Sequence, residues 1–361
     1  YSQIAACVLL AVAVADELGS PPSPDRQELL AALRALPEAM ERTLALRPAI
    51  AEAAQRLAPS RRYWAIVGNG LNRIAALEVR IKLSELCYKA VACDATEDKK
   101  HIDLSSEPLI VVCAAGLAGS TADDVAKEVA IYRAHKAAPV VIATEGEGRF
   151  GAALAAVLVP ATHPRLAFVL SAMAGHLFGY EAALAIDAQA RPLREARAAI
   201  ESAISASRDP AVDAEIVLEE LRPELEPLAA RFFDGLRSGD YDGHLEASSA
   251  VRLASVLRYA LGVAPLEAYQ VEYGRVGTPS VVIEDLTAAL TRAIEELTRP
   301  IDAIKHQAKT VTVGISRSDE ALLQVPLVRE VLATGVARDR LSYQSLRTLA
   351  ALDPLVEEVL G

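Results

Sequence analysis

Between residues 63 and 159, five short runs of consecutive apolar residues alternate with longer, helix-compatible segments. The runs are Tyr63–Gly68, Ala90–Cys93, Pro108–Cys113, Pro139–Ala143 and Ala155–Val159. A strand that is apolar on both faces belongs in a parallel sheet covered on both sides, because a sheet with one wet face alternates instead. The intervening stretches 71–88 and 122–135 read as helices, and a further helix over 165–186 follows the last run. Strand and helix in alternation predict an α/β domain, doubly wound around a five-stranded parallel sheet. Such sheets bind ligands at the carboxyl ends of their strands.

The flanking regions have a different character. Ile4 to Leu18 reads as a buried helix, the tail of a larger helical assembly whose neighbours precede the chain. Its apolar run is shorter than the roughly 20 residues of a membrane span and lacks the basic start and cleavage site of a signal peptide. After the Gly19-Ser20-Pro21-Pro22 break, Asp25 is the expected N-cap of a helix that starts near Arg26. That helix runs with an interruption to Leu57, with Leu29, Leu30, Leu33 and Leu36 on one face. Beyond Arg191 the sequence is rich in Ala, Leu, Glu and Arg and reads as helical, with turns at 238–240 and 274–279. Tyr269–Tyr273 alternates and fits a short strand or hairpin arm. Thr310–Val313 reads as a strand, and a helical piece follows Asp319.

About half of the 361 residues are apolar but only 4% are aromatic, so the core is aliphatic. The net charge of −11 argues against general nucleic-acid affinity, which needs Lys and Arg to displace counterions. A small phosphorylated substrate needs only a local cluster of donors. Cys7, Cys87, Cys93 and Cys113 form neither a CxxC pair nor a Cys/His metal spacing. They are expected to be buried thiols in a reducing, cytoplasmic setting, with no metal site and no cofactor.

Three features could carry chemistry. Gly68-Asn69-Gly70 sits where a strand turns into a helix, a place that allows close ligand approach and favours anions. It lacks the third glycine of a dinucleotide fingerprint. Glu78, Lys82 and Glu85 share one face of the following helix. His101 lies in the loop after the second strand, and His is the usual acid/base near neutral pH. Spacing alone equally fits a tight turn, a solvated charged stripe and a solvated histidine.

Residues 62 to 112 resemble the second sugar-isomerase (SIS) domain of the glucosamine-6-phosphate synthase family. The likeness rests on Gly68-Asn69-Gly70, Ala76-Leu77-Glu78, the segment Lys82 to Tyr88, and Lys100-His101. Residues 1–60 are similar to the family's lead-in helices, including Ala35-Leu36-Pro37. Ala308 to Val313 is similar to the AKSVTVE end of the family's chain, preceded here by Arg299-Pro300. The resemblance implies a flavodoxin-like SIS fold and a fragment of a longer, homodimeric enzyme acting on fructose 6-phosphate or a close relative, without membrane or nucleic-acid partners. It implies a helical lead-in over 1–59, the SIS domain over 60–197, a helical insertion over 198–298, and a tail segment with a helical extension over 299–361.

The resemblance also assigns roles. Glu85 matches the glutamate that moves the proton between C1 and C2, with Glu78 in support. His101 matches the histidine that opens the sugar ring from the neighbouring subunit. Lys309 matches the lysine that forms a Schiff base with the open-chain ketose. Gly68, Asn69, Gly70 and Ala308 fall at substrate-binding positions. Two departures stand out: Ile102-Asp103 replaces the family's Gly-Pro after the histidine, and the Ser/Thr-rich phosphate loop of the first SIS domain is absent. A non-catalytic SIS-type binding or assembly module is the alternative reading.

Overall fold

The computed structural model describes residues 1–21, 23–101, 104–206, 214–298, 322–336 and 343–356. The chain divides into two compact units, Tyr1–Thr298 and Arg299–Gly361. The first opens with three helices, α1 (Ser2–Glu17), α2 (Pro24–Ala45) and α3 (Arg47–Leu57). A parallel sheet follows, with β1 (Trp64–Gly68), β2 (Val91–Asp94), β3 (Leu109–Cys113), β4 (Ala138–Thr144) and β5 (Ala155–Val159) in the order β2-β1-β3-β4-β5. Between the strands lie α4 (Leu71–Cys87), the short α5 (Thr96–Lys99) and α6 (Gly119–Ala134). The predicted five-stranded parallel sheet is therefore present.

The layering follows from the pleat. Trp64, Ile66, Val111 and Ile142 point to one face and pack with α3, α4 and the helix after β5. Ala65, Val67, Ile110 and Val112 point to the other and pack with Val125, Val129 and Tyr132 of α6. Both faces are dry, which is why the strand sequences are apolar without alternation.

The helix after β5, α7 (Ala167–Ala206), is 40 residues long, about 60 Å at 1.5 Å per residue. It passes the expected stop at Ile186, runs through Pro192, and crosses residue 197 without a break. Leu170, Ala174, Phe178 and Ile186 belong to the core of the α/β layer. Leu193, Ala196 and Ile200 belong to a second, all-helical core. Among the described helices it alone is long and apolar enough to cross a membrane, but 67% of that apolar window is buried inside the fold.

The second core is completed by α8 (Ala214–Ser238), α9 (Ala247–Ala260), α10 (Tyr269–Tyr273) and α11 (Pro279–Leu297). Residues 269–273 are helical, contrary to the strand expectation. Tyr269 is buried and stacks on Tyr273 at 4.5 Å, a pairing that helical i,i+4 spacing provides. A strand would have put Val271 on the same face as Tyr269 and Tyr273 and kept those two rings well apart; in the helix Val271 turns away and is 90% exposed. The Tyr269 hydroxyl donates to Asp285, which Arg252 and Arg275 also pair with.

Three other expectations need correction. None of the residues of α1 is buried; it packs on one side only, beside an apolar groove of about 930 Å³, and leaves Leu9, Leu10, Val14 and Leu18 exposed. Cys7 is accordingly exposed and Cys93 half-buried, while Cys87 and Cys113 are buried. The N-cap of α2 is Ser23, whose hydroxyl accepts from the Arg26 N–H at 3.2 Å. Pro24 occupies the first helical position, so the cap falls on the residue before it, and Asp25 sits in the first turn.

The α/β layer and the helical core meet through the turn between α8 and α9. A Cβ on Gly243 would lie 2.1 Å from the Pro59 carbonyl oxygen, so only glycine fits there. Lys89 donates to the carbonyls of Arg61 (2.7 Å), Arg62 (3.0 Å) and Gly243 (2.9 Å), and its ammonium lies 5.0 Å from the Trp64 ring centroid. Arg62 pairs with Glu246 at 2.9 Å and donates to the Leu245 carbonyl at 3.2 Å. His244 faces the Pro59 carbonyl through Nδ1 at 3.2 Å.

Burial, and then the Lys89 ammonium, push the pKa of His244 down to about 3. Below the unfolded value of about 6.5 the unfolded chain therefore binds more protons than the folded one, and stability falls as the pH is lowered. Lowering the pH from 7 to 4.5 should cost wild type about 2 kcal/mol more than it costs His244→Gln. Urea unfolding of both proteins at the two pH values checks this; equal losses would refute it.

In the second unit, α12 (Pro326–Ala333) and α13 (Tyr343–Leu352) pack together, and Leu327 N–H donates to Asp353 at 2.7 Å. These are the helices expected after Asp319. The expected strand Thr310–Val313 lies outside the described residues.

Candidate functional site

The strand order turns back between β1 and β3, so the first crossover leaves to one side and the others to the opposite side. The crevice at the carboxyl ends of these two strands is where such a sheet binds ligands. Gly68 ends β1 there. A Cβ on it would lie 2.4 Å from the Asn72 carbonyl oxygen, so the chain can turn this tightly into α4 only with glycine. Gly70 precedes the helix with φ 55°, a conformation glycine adopts at little cost. Asn69 links the ends of two strands: its amide donates to the Thr96 hydroxyl at 2.6 Å, and its oxygen accepts from Thr96 N–H at 3.2 Å.

Beneath this turn lies a buried polar bridge. Asn72 donates to the Ala115 carbonyl at 2.8 Å and accepts from the Ser171 hydroxyl at 2.7 Å. Gly116 N–H donates to the Thr144 hydroxyl at 2.8 Å. The ends of β1, β2, β3 and β4 are thus tied to one another and to α7. Both α4 and α6 begin at this edge without a side-chain cap, an end that favours an anion, although in α4 the Asn72 and Arg73 N–H groups already donate to the Asn69 and Gly70 carbonyls, each at 3.1 Å.

Ion pairs stand after the carboxyl ends of β4 and β5. Glu145 accepts from Ala161 N–H at 3.2 Å and pairs with Arg42 at 2.7 Å, and these two partners hold its carboxyl below the usual range. Asp25 pairs with His163 and Arg165, each at 3.2 Å.

Among the described residues, Glu78 and Glu85 stand on α4 and His101 in the turn after α5. Glu78, Lys82 and Glu85 do share one face of α4, and Lys82 pairs with Glu85 at 3.1 Å. This face is not merely charged, because Ile74, Leu77 and Ile81 are exposed among those residues. Glu85 lies near the far end of the helix, about 22 Å from Gly70 by helical rise. His101 is exposed in the turn after α5, and that connection leads to Leu104, which packs on the opposite face of the sheet from α4. Lys309 and Ala308 lie outside the described residues.

One residue beside the site was not singled out from sequence. His176 of α7 lies 3.4 Å from Glu78 and 3.0 Å from the Tyr1 hydroxyl. Burial lowers its pKa, partly opposed by Glu78. Its only sequence signal is a histidine within the apolar run of α7, and the crossing with α4 that gives it a partner has no spacing rule. Among the described residues, no group of three or more His, Cys, Asp or Glu could hold a metal ion.

Comparison with known proteins bears on this arrangement. No family model matches the chain. Over 186 residues, 51% of its length, it is 30% identical to glutamine–fructose-6-phosphate aminotransferase [isomerizing] of Thermus thermophilus, equally in each of two strains. The chain is thus similar in sequence to part of those enzymes. The match spans only 30% of the length of those enzymes. Two solved structures are also similar. The C-terminal domain of glucosamine-fructose-6-phosphate aminotransferase from Francisella tularensis is 17% identical with a TM-score of 0.42, covering 46% of this chain and 48% of its own. A putative phosphosugar isomerase from Silicibacter pomeroyi is 12% identical with a TM-score of 0.36, covering 75% of this chain and 97% of its own.

Proposed function

We propose that the SIS domain is the isomerase part of a glucosamine-6-phosphate synthase-like enzyme acting in the cytoplasm on fructose 6-phosphate or a close relative. The observation that carries this reading is the 30% identity over 186 residues to enzymes named for that substrate. The crevice at Gly68, Asn69 and Gly70, with two uncapped helix starts, suits an anionic group of the substrate. Aldose–ketose isomerisation needs three operations: opening the ring, holding the open chain, and moving a proton between neighbouring carbons. His101 is suited to the first, because an imidazole gives and takes protons near neutral pH. Lys309 is suited to the second, as an amine that captures a ketone as a Schiff base. Glu85, with Glu78 in support, is suited to the third.

In this reading Glu85, on α4, and His101, in the turn after α5, serve one site across two chains. A homodimer in which His101 enters the partner's site satisfies this. The exposed apolar residues of α4 around Glu85 are the kind of surface that such an assembly covers.

The test is complementation, with conversion of fructose 6-phosphate to the aldose followed by coupled assay. Glu85→Gln and His101→Ala should each lose at least about a hundredfold in kcat. Mixed and allowed to exchange subunits, the two inactive variants should recover about a quarter of wild-type activity, since in a two-fold dimer one of every four sites regains both groups. Absence of any recovery in verified mixed dimers would exclude the shared site.

A further inference from the structure

Lys99 closes α5 and is only 2% exposed. Among the described residues its ammonium has neither a hydrogen-bond acceptor nor a carboxylate partner. Its neighbour Lys100, by contrast, pairs with Glu97 at 3.2 Å and with Glu128 at 3.8 Å. Of the nearby acids, Glu97 pairs with Lys100, and Glu107 with Arg61 at 3.8 Å and Lys136 at 3.6 Å. A buried cation without a partner is costly, because desolvation is not offset by any attraction.

The chain buries this cation against an open groove of about 540 Å³ at the amino edge of the sheet, the edge opposite Gly68–Gly70. Tyr63, Trp64 and Pro108 give the groove an apolar wall, and Ser105 adds an exposed hydroxyl beside Lys99. The indole of Trp64 is fixed by its N–H, which donates to the Arg61 carbonyl at 2.7 Å. One charge, one hydroxyl and a rigid apolar wall are complementary to a molecule with one anionic group and a flat or apolar body.

We propose that this groove is a binding site for a small organic anion, a phosphate monoester or carboxylate, whose charge is held by Lys99. It is separate from the crevice assigned above to the substrate and does not depend on that assignment.

Phenyl phosphate is the probe, followed by calorimetry and by the emission of Trp64, the chain's single tryptophan, which lines the groove. Wild type should bind it saturably with a change in Trp64 emission, and inorganic phosphate, lacking the ring, more weakly. Lys99→Met should weaken phenyl phosphate at least about tenfold, the loss expected for one charge-assisted contact. Lys99→Arg keeps the charge and should keep the binding. Without ligand, Lys99→Met should melt a few degrees higher than wild type, on the order of 2–4 °C, because it removes an unpaired buried charge at similar volume. That result also establishes that the variant folds. No saturable binding to wild type, or equal binding by Lys99→Met, would overturn the proposal. So would loss of binding in Asn69→Ala with retention in Lys99→Met, which would place the anion at the carboxyl edge.

Discussion

Gly68→Val is expected to leave no folded α/β domain. Valine would place its Cβ 2.4 Å from the Asn72 carbonyl oxygen and 2.7 Å from its carbon, both main-chain atoms in the first turn of α4. No rotamer relieves a Cβ clash, so α4 would have to move away from the end of β1. That movement would also break the bridge from Asn72 to Ala115 and Ser171, leaving buried polar groups unpaired. The combined cost exceeds about 4 kcal/mol, a large part of the stability of an ordinary domain. Gly70→Ala is the contrasting variant. Nothing lies within 4 Å of a Cβ there, and the cost is only that of a backbone at φ 55°, ψ −130°, about 1–3 kcal/mol. Soluble yield and far-ultraviolet circular dichroism distinguish the two; a Gly68→Val protein with a wild-type melting temperature would refute the account of this turn.

Gly243→Val should separate the two cores that share α7. Its Cβ would lie 2.1 Å from the Pro59 carbonyl oxygen and 3.0 Å from both the N and O of Arg61. Displacing this turn removes the Gly243 carbonyl from Lys89, the Leu245 carbonyl and Glu246 from Arg62, and the Pro59 carbonyl from His244. Each hydrogen bond to a charged group contributes about 1.5–3 kcal/mol, so the loss is large even after partial rehydration. The expected result is a thermal melt in two steps where wild type shows one, with Trp64 emission shifted to the red as the Lys89 side of its ring becomes wet. A single transition at the wild-type temperature with unchanged emission would show that the turn carries no such load.

The sheet was legible because its signal is local. The inner strands β1, β3 and β4 are buried on both faces and so announce themselves as unbroken apolar runs, the edge strands β2 and β5 stay apolar although partly exposed, and the observed strands begin and end within one or two residues of those runs. The turn at Gly68–Gly70 was legible for the same reason. The character of α1 was not, because apolar content does not say whether neighbours exist to cover it. The length of α7 was missed where the residues change from aliphatic to Arg- and Glu-rich near Arg191, although one stripe through Leu193, Ala196 and Ile200 stays apolar. Site features that join distant positions left no trace in spacing. Asn72 and Ser171 are 99 residues apart in sequence, and Lys99 looks like one half of a solvated basic pair until the fold buries it and leaves Lys100 outside.

The span of α7 across two cores also imposes an order on synthesis. Its first half packs against strands already made, so the α/β layer can close soon after residue 186 leaves the ribosome. The other half emerges with Leu193, Ala196 and Ile200 facing outward, because the helices that cover them end only at Leu297. At about 5–20 residues per second, roughly a hundred further residues take on the order of ten seconds. For that interval the nascent chain carries a finished domain with an uncovered apolar helix projecting from it, a natural target for a ribosome-associated chaperone.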